Sequence, residues 1–173
     1  MGERGPKPRG KVKIEWSPNF AYAIGLISSD GSLSKDRRHI SFVSKDKEQI
    51  INFLDCLKLK LKIGITVSGY KSSKAFRVQF GDVLFYNFLV NIGLTPAKSK
   101  TIRNVDIPDK YFFDFLRGLF DGDGSVYSYF DKRWRSSFMF YICFASASYE
   151  FIEWLRENIH TRLGLKGHIT HAK

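Results

Sequence analysis

The sequence predicts an α+β protein built as two related halves, and three observations carry that prediction. The stretch YAIGLISSDGSL (Tyr22–Leu33) returns 93 residues later as FLRGLFDGDGSV (Phe115–Val126), placing Gly25 on Gly118, Asp30 on Asp123, Gly31 on Gly124 and Ser32 on Ser125. A period of about half the 173 residues indicates two structural units, since solenoid repeats run about 20–50 residues. Each copy is a helix-spaced apolar run followed by segments of strand alternation. The third observation is composition: 43% hydrophobic and 16% aromatic residues, with sixteen Phe, can fill a largely aromatic core.

The elements follow in order. Trp16-Ser17-Pro18 predicts a helix start, with Ser17 as N-cap and Pro18 at the first helical position. That helix runs through Phe20, Ile24 and Ile27 to Asp30-Gly31. A hairpin follows in SLSKDRRHISFVS, where Ile40 and Phe42 alternate with His39, Ser41 and Val43. Ser44 is expected to cap a second helix with the stripe Ile50, Ile51, Leu54 and Leu57. IGITVSGYKSSKAFRVQF is a second hairpin, and DVLFYNFLVNIGL a third helix that Gly93 closes.

The second half repeats the order with a longer first hairpin, SVYSYFDKRWRSSFMFYICFAS, and a helix from Tyr149 to about Leu163. Phe42-Val43-Ser44 aligns with Phe144-Ala145-Ser146, an offset of 102, so Lys173 corresponds to Lys71. The second half's last strand and helix therefore have no counterpart here. They are expected from a second polypeptide or a longer chain. The division is a flexible basic arm over 1–15, a first half over 16–100, a linker over 101–110 and an incomplete second half over 111–173.

A formal charge of +11 and a pI near 9.7 point first to a polyanionic partner, most simply nucleic acid. Cys56 and Cys143 form neither a disulfide framework nor a CxxC metal pattern. With no leader and no apolar run of about 20 residues, the expectation is a soluble, intracellular protein of a prokaryotic cytoplasm or an organelle, away from membranes.

Gly25 and Gly118 each cost up to about 1 kcal/mol mid-helix, so their shared repeat position suggests two helices crossing closely. Asp30 and Asp123 then emerge together at the two C-terminal ends, and Gly31 and Gly124 turn the chain into the hairpins. Paired carboxylates repel, and a helix C-terminus adds negative potential. A hard divalent cation relieves this, and beside a phosphodiester it supports hydrolysis. DGDGS is not an EF-hand loop, because its sixth position is Val126 and its twelfth is Lys132. HITH (168–171) matches no common zinc spacing and reads as surface histidines on a strand.

AIGLISSDG (Ala23–Gly31) and LRGLFDGDG (Leu116–Gly124) resemble the two signature copies of the LAGLIDADG homing endonucleases. The resemblance implies two pseudo-symmetric αββαββα halves, motif helices packed at the interface, and antiparallel sheets straddling double-stranded DNA. It implies a site-specific endodeoxyribonuclease making a divalent-metal-dependent double-strand cut at a long asymmetric target. The alternative is a catalytically silent relative, an intron RNA maturase or a DNA-binding regulator. Asp30 and Asp123 are the implied ligands of Mg²⁺ (or Mn²⁺, with Ca²⁺ as a non-productive substitute), helped by backbone near Ser29 and Gly122. Asp121 matches an earlier motif Asp that the first copy replaces with Ser28, so it is not a required ligand. A basic residue near the active centre maps to Lys98, then Lys100. A water-positioning polar residue maps to Asp46, with Ser148 as its counterpart.

Alternation assigns the DNA-facing side. In the first half it takes Arg37, His39, Ser41, Ser68, Tyr70, Arg77 and Gln79. In the second it takes Tyr127, Tyr129, Ser137, Met139, Tyr141, His168 and Thr170, with Phe138, Phe140, Ile142 and Phe144 inside. Lys71, Lys74, Lys132, Arg133 and Arg135, at hairpin tips, suit flanking phosphates.

Overall fold

The computed structural model describes residues 10–67, 74–134 and 136–171. Helix α1 (Pro18–Asp30) begins as expected: Ser17 Oγ accepts the Phe20 N–H and Pro18 occupies the first turn. Strands β1 (Gly31–Leu33) and β2 (His39–Ser44) follow, then α2 (Lys47–Cys56), β3 (Gly64–Val67), β4 (Lys74–Gly81) and α3 (Val83–Asn91). The second half holds α4 (Phe112–Asp123), β5 (Gly124–Phe130), β6 (Phe138–Phe144) and α5 (Tyr149–Leu163). All strand pairs are antiparallel, in the order β1-β2-β4-β3 in one sheet and β5-β6 in the other.

The seam between the halves is α1 against α4. A Cβ on Gly25 would stand 2.7 Å from the Leu119 nitrogen, and one on Gly118 would stand 2.9 Å from the Tyr22 carbonyl carbon. Both are closer than real Cβ contacts, so the paired glycines let two backbones touch. Gly31 and Gly124 do a different job from the expected tight turn. Both are extended (φ −78° and −83°), and a Cβ there would strike the preceding turn of helix at Ile27 or Phe120. Around the seam, Ile40, Phe42, Val78 and Phe80 on one face of the first sheet are buried, and Phe42 packs on Phe53 at 4.6 Å between ring centres.

Other local expectations change. Asp46, not Ser44, is the N-cap of α2: its carboxylate accepts the Glu48 N–H at 2.8 Å, while Ser44 Oγ accepts the Asp46 N–H. A carboxylate one residue before the first turn reaches the orphan donors better than a hydroxyl three residues back. Gly93 has φ +106° and closes α3 as expected. The end of the expected basic arm is anchored, with Val12 buried. Lys11 and Val12 N–H both donate to the buried Asp82 carboxylate, which also caps α3 through Phe85 N–H at 2.9 Å.

The largest departure is the second sheet. Phe138, Phe140 and Ile142, expected inside, are 57%, 60% and 60% exposed, with Val126 and Phe130 on the same face. In the first half β4 pairs with β2 and helices cover that face. Helix α5 instead packs on α4, where Trp154 meets Phe112 and Phe115 edge-on. No strand pairs with residues 165–171 among the described residues, so the HITH stretch is not on a sheet.

Candidate active site and nucleic-acid interface

Crossing α1 over α4 carries the last residue of each to one place. Asp30 ends α1 and Asp123 ends α4. Ser29 lies on the Gly122 surface of α4, and Asp30 Oδ2 stands 3.3 Å from where a Gly122 Cβ would be. The short side chains thus set how near the carboxylates come. Burial raises the Asp30 pKa first, and the Asp123 charge raises it further. Burial likewise raises that of Asp123.

Lys98 completes the cluster from outside the motif. Ala97, in the left-handed region at φ +56°, starts the short 3₁₀ turn Lys98–Lys100. This turn sends the Lys98 side chain inward, 94% covered, to donate from Nζ to the Ser29 carbonyl at 3.0 Å. Burial pushes the ammonium pKa down to about 8, against the upward pull of Asp123 and Asp30. The position thus holds two carboxylates and one cation in a partly desolvated notch. Lys100, two residues on, is exposed.

The donor set fits a hard cation. Two carboxylates and the Ser29 carbonyl are all oxygen donors, the ligand type that Mg²⁺ prefers, and too few to displace its water shell. Among the described residues there is no group of three or more His, Cys, Asp and Glu side chains that would suit a soft or fully caged metal. Lys98 already uses the Ser29 carbonyl and partly neutralises the pair, so the like-charge argument for a metal is weaker than the sequence alone implied.

The structure places the remaining candidates as follows. Asp46 is the exposed cap of α2. Ser148 is the buried N-cap of α5, where its Oγ donates to the Ile102 carbonyl. Asp121 points away from the Asp30 cluster: its carboxylate accepts the Tyr22 hydroxyl at 2.7 Å and its carbonyl accepts Gln49 Nε2 at 2.6 Å. With Arg117 lying 4.6 Å over the Tyr22 ring, these residues clasp α1, α2 and α4. Sequence reasoning missed this clasp because Tyr22 lies in an apolar run and reads as core.

On the first sheet, Ser41 lies opposite Ser32 and Gln79, and Arg77 opposite Val43 and Gly64. Arg77 Nη2 donates to Gln79 Oε1 at 2.6 Å. His39 Nδ1 pairs with Asp36 near the β1–β2 turn, where Arg37 takes φ +57°. Lys74 opens β4 opposite Val67. On the second sheet Tyr127 faces Tyr141 and Tyr129 faces Met139. Lys132 and Arg133 sit in the turn, Arg133 held by Asp131 at 3.0 Å, and Ser137 N–H donates to the Trp134 carbonyl. His168 and Thr170 are exposed but off the sheet, and Ser68, Tyr70, Lys71 and Arg135 lie outside the described residues.

No helix of the described residues is long and apolar enough to cross a membrane. Residues 112–173 match the family model described as LAGLIDADG-like domain. The chain resembles the homing endonuclease I-WcaI bound to its DNA recognition sequence, at TM-score 0.58 and 16% identity over 91% of this chain and 73% of that one. It resembles I-DmoI in complex with DNA and Mn at TM-score 0.50 and 16% identity, over 90% and 83%. Full-length DUF199/WhiA from Thermatoga maritima matches at TM-score 0.53 and 15% identity, over 95% of this chain and 55% of that one. Among curated proteins, DNA-directed RNA polymerase subunit Rpo1C of Methanocaldococcus jannaschii is 30% identical over 132 residues, covering 70% of this chain. The chain spans 14% of that relative and 42% of a second, uncharacterised protein of the same archaeon, which is 28% identical over 123 residues. The second motif thus lies inside a segment that matches a LAGLIDADG-like domain, the first packs against it across α1 and α4, and the chain has the fold of the LAGLIDADG homing endonucleases.

Proposed function

We propose that the protein is a site-specific endodeoxyribonuclease that cuts both strands of an asymmetric DNA target with a divalent metal, Mg²⁺ by preference. The observation that carries this reading is the convergence of Asp30, Asp123 and Lys98 at the ends of the crossed motif helices. In this reading Asp30 and Asp123 hold the cations, and the Ser29 and Gly122 carbonyls add ligands. Bound there, divalent cations lower the pKa of water and neutralise the leaving oxygen. Lys98, a desolvated cation in the same notch, releases the Ser29 carbonyl and turns to the scissile phosphate, where it offsets negative charge as the transition state forms. The polar face bearing Ser41, Arg77 and Gln79 supports reading one half of the target in the major groove. The bare face of β5–β6 matches the covered face of β2–β4. That match supports a further hairpin and helix packing there, carried by the same protein or by a second polypeptide.

The test is incubation with Mg²⁺ and a plasmid library of candidate target sites. Cleavage that Asp30→Asn and Asp123→Asn abolish, with DNA binding retained, is the expected result. A second reading is favoured by one observation, the Lys98 ammonium that already compensates the carboxylates: a nucleic-acid binder without cleavage, acting on intron RNA or as a regulator. Tight binding with no cleavage in Mg²⁺ or Mn²⁺, unchanged by Asp30→Asn, would establish it.

A further inference from the structure

The two sheets present unlike chemistry on the same side. The first offers Ser32, Ser41, Gln79 and Arg77, groups that pair with base edges through hydrogen bonds. Among the described residues, the strand positions on the corresponding side of β5–β6 carry no charged residue, and the Asp131–Arg133 pair sits at the turn beyond them. Its centre is three tyrosines: Tyr127 stacks on Tyr141 at 4.9 Å and 11°, and Tyr129 on Tyr141 at 5.9 Å and 8°. Their register flanks them with Met139. Tyr141 stacks on both of the others, so its ring is not free to receive an extruded base. The three tyrosines present ring edges and hydroxyls, with Tyr127 and Tyr129 about half exposed.

Resting on the duplex-DNA reading above, we infer that β5–β6 reads its half-site through apolar contact with thymine methyl groups, not through charged or bidentate pairs. The thymine C5-methyl is the one apolar feature a base pair shows in the major groove. Ring edges and a thioether suit it, whereas no side chain on these strand positions offers the paired donors that hold guanine O6 and N7 bidentately. Among the described residues the strand positions of this face hold no cation, so phosphate contacts in this half fall to the turn that carries Lys132 and Arg133 and not to the tyrosine centre.

Selection of bound duplexes from a randomised library tests the inference. One half of the selected site is expected to show base-specific positions of mixed type and the other a thymine-rich run. Replacing each of those thymines by deoxyuridine, which removes only the methyl, should weaken binding about 3- to 4-fold per site. Tyr141→Ala should flatten that run's preference and abolish the deoxyuridine effect without altering the slope of affinity against salt. Tyr141→Phe, which keeps the ring, should retain both. A selected site without the thymine run, or deoxyuridine without effect, overturns the inference and leaves the DNA-binding reading intact. Selection of no duplex at all overturns both.

Discussion

Replacing Gly118 by Ala should destabilise the protein although it improves the helix. In an open helix the change is worth up to about 1 kcal/mol in favour of Ala. Here the new methyl would stand 2.9 Å from the Tyr22 carbonyl carbon and 3.1 Å from the Leu26 nitrogen, and closer still to the Tyr22 carbonyl oxygen. Ordinary contacts between such atoms lie near 3.5–4.0 Å. All three are backbone, so no rotamer change relieves the clash and the helices must part by roughly 1 Å. Overpacking costs about 1–3 kcal/mol, and rigid neighbours place this site at the top of that range. The net expectation is a loss of about 2 kcal/mol, or a melting temperature lowered by roughly 4–8 °C for a chain of this size. Urea and thermal unfolding of Gly118→Ala, Gly25→Ala and the double variant measure it. The double variant should cost less than the sum, because the first methyl has already opened the seam for the second. A Gly118→Ala protein more stable than the parent by about 1 kcal/mol would refute the close seam.

Asp82→Ala should cost about 2–4 kcal/mol by chemical denaturation, since it leaves the Lys11, Val12 and Phe85 N–H groups without their acceptor. Stability should rise with pH between about 8 and the ordinary lysine range, because the unfolded chain holds a proton there that buried Lys98 has released. The gain is at most about 3 kcal/mol, is lost again as pH falls through 8, and should vanish in Lys98→Met. Tyr22→Phe should weaken the clasp by about 1–2 kcal/mol by leaving the Asp121 carboxylate without its donor, while Asp30→Asn alters metal affinity and barely changes stability.

Much of the fold is legible because its signals are local. Ser17-Pro18 and Gly93 mark helix ends through their own backbone chemistry, and alternation over residues 39–44 and 76–80 marks strands through side-chain period. The repeated Gly and Asp reveal the seam because two copies constrain each other. Lys98 is placed by resemblance alone, as one of two lysines separated by Ser99; only the turn at Ala97 decides that it enters the notch while Lys100 stays in solvent. The cap of α2 and the Asp82 anchor each depend on a reach of a few ångströms that spacing does not encode.

The sequence by itself determined two halves, their motif helices and the pair of aspartates, because caps and periodicity act within a few positions of the chain and a motif repeated 93 residues on marks equivalent places in the two halves. Tertiary structure alone decided the strand order β1-β2-β4-β3, the burial of Lys98 and the exposure of Phe138, Phe140 and Ile142. Strand alternation says which residues share a face but not what covers it, and covering is a property of elements far apart in the chain. Helix α5 lies on α4, so an apolar face that reads as core stands open.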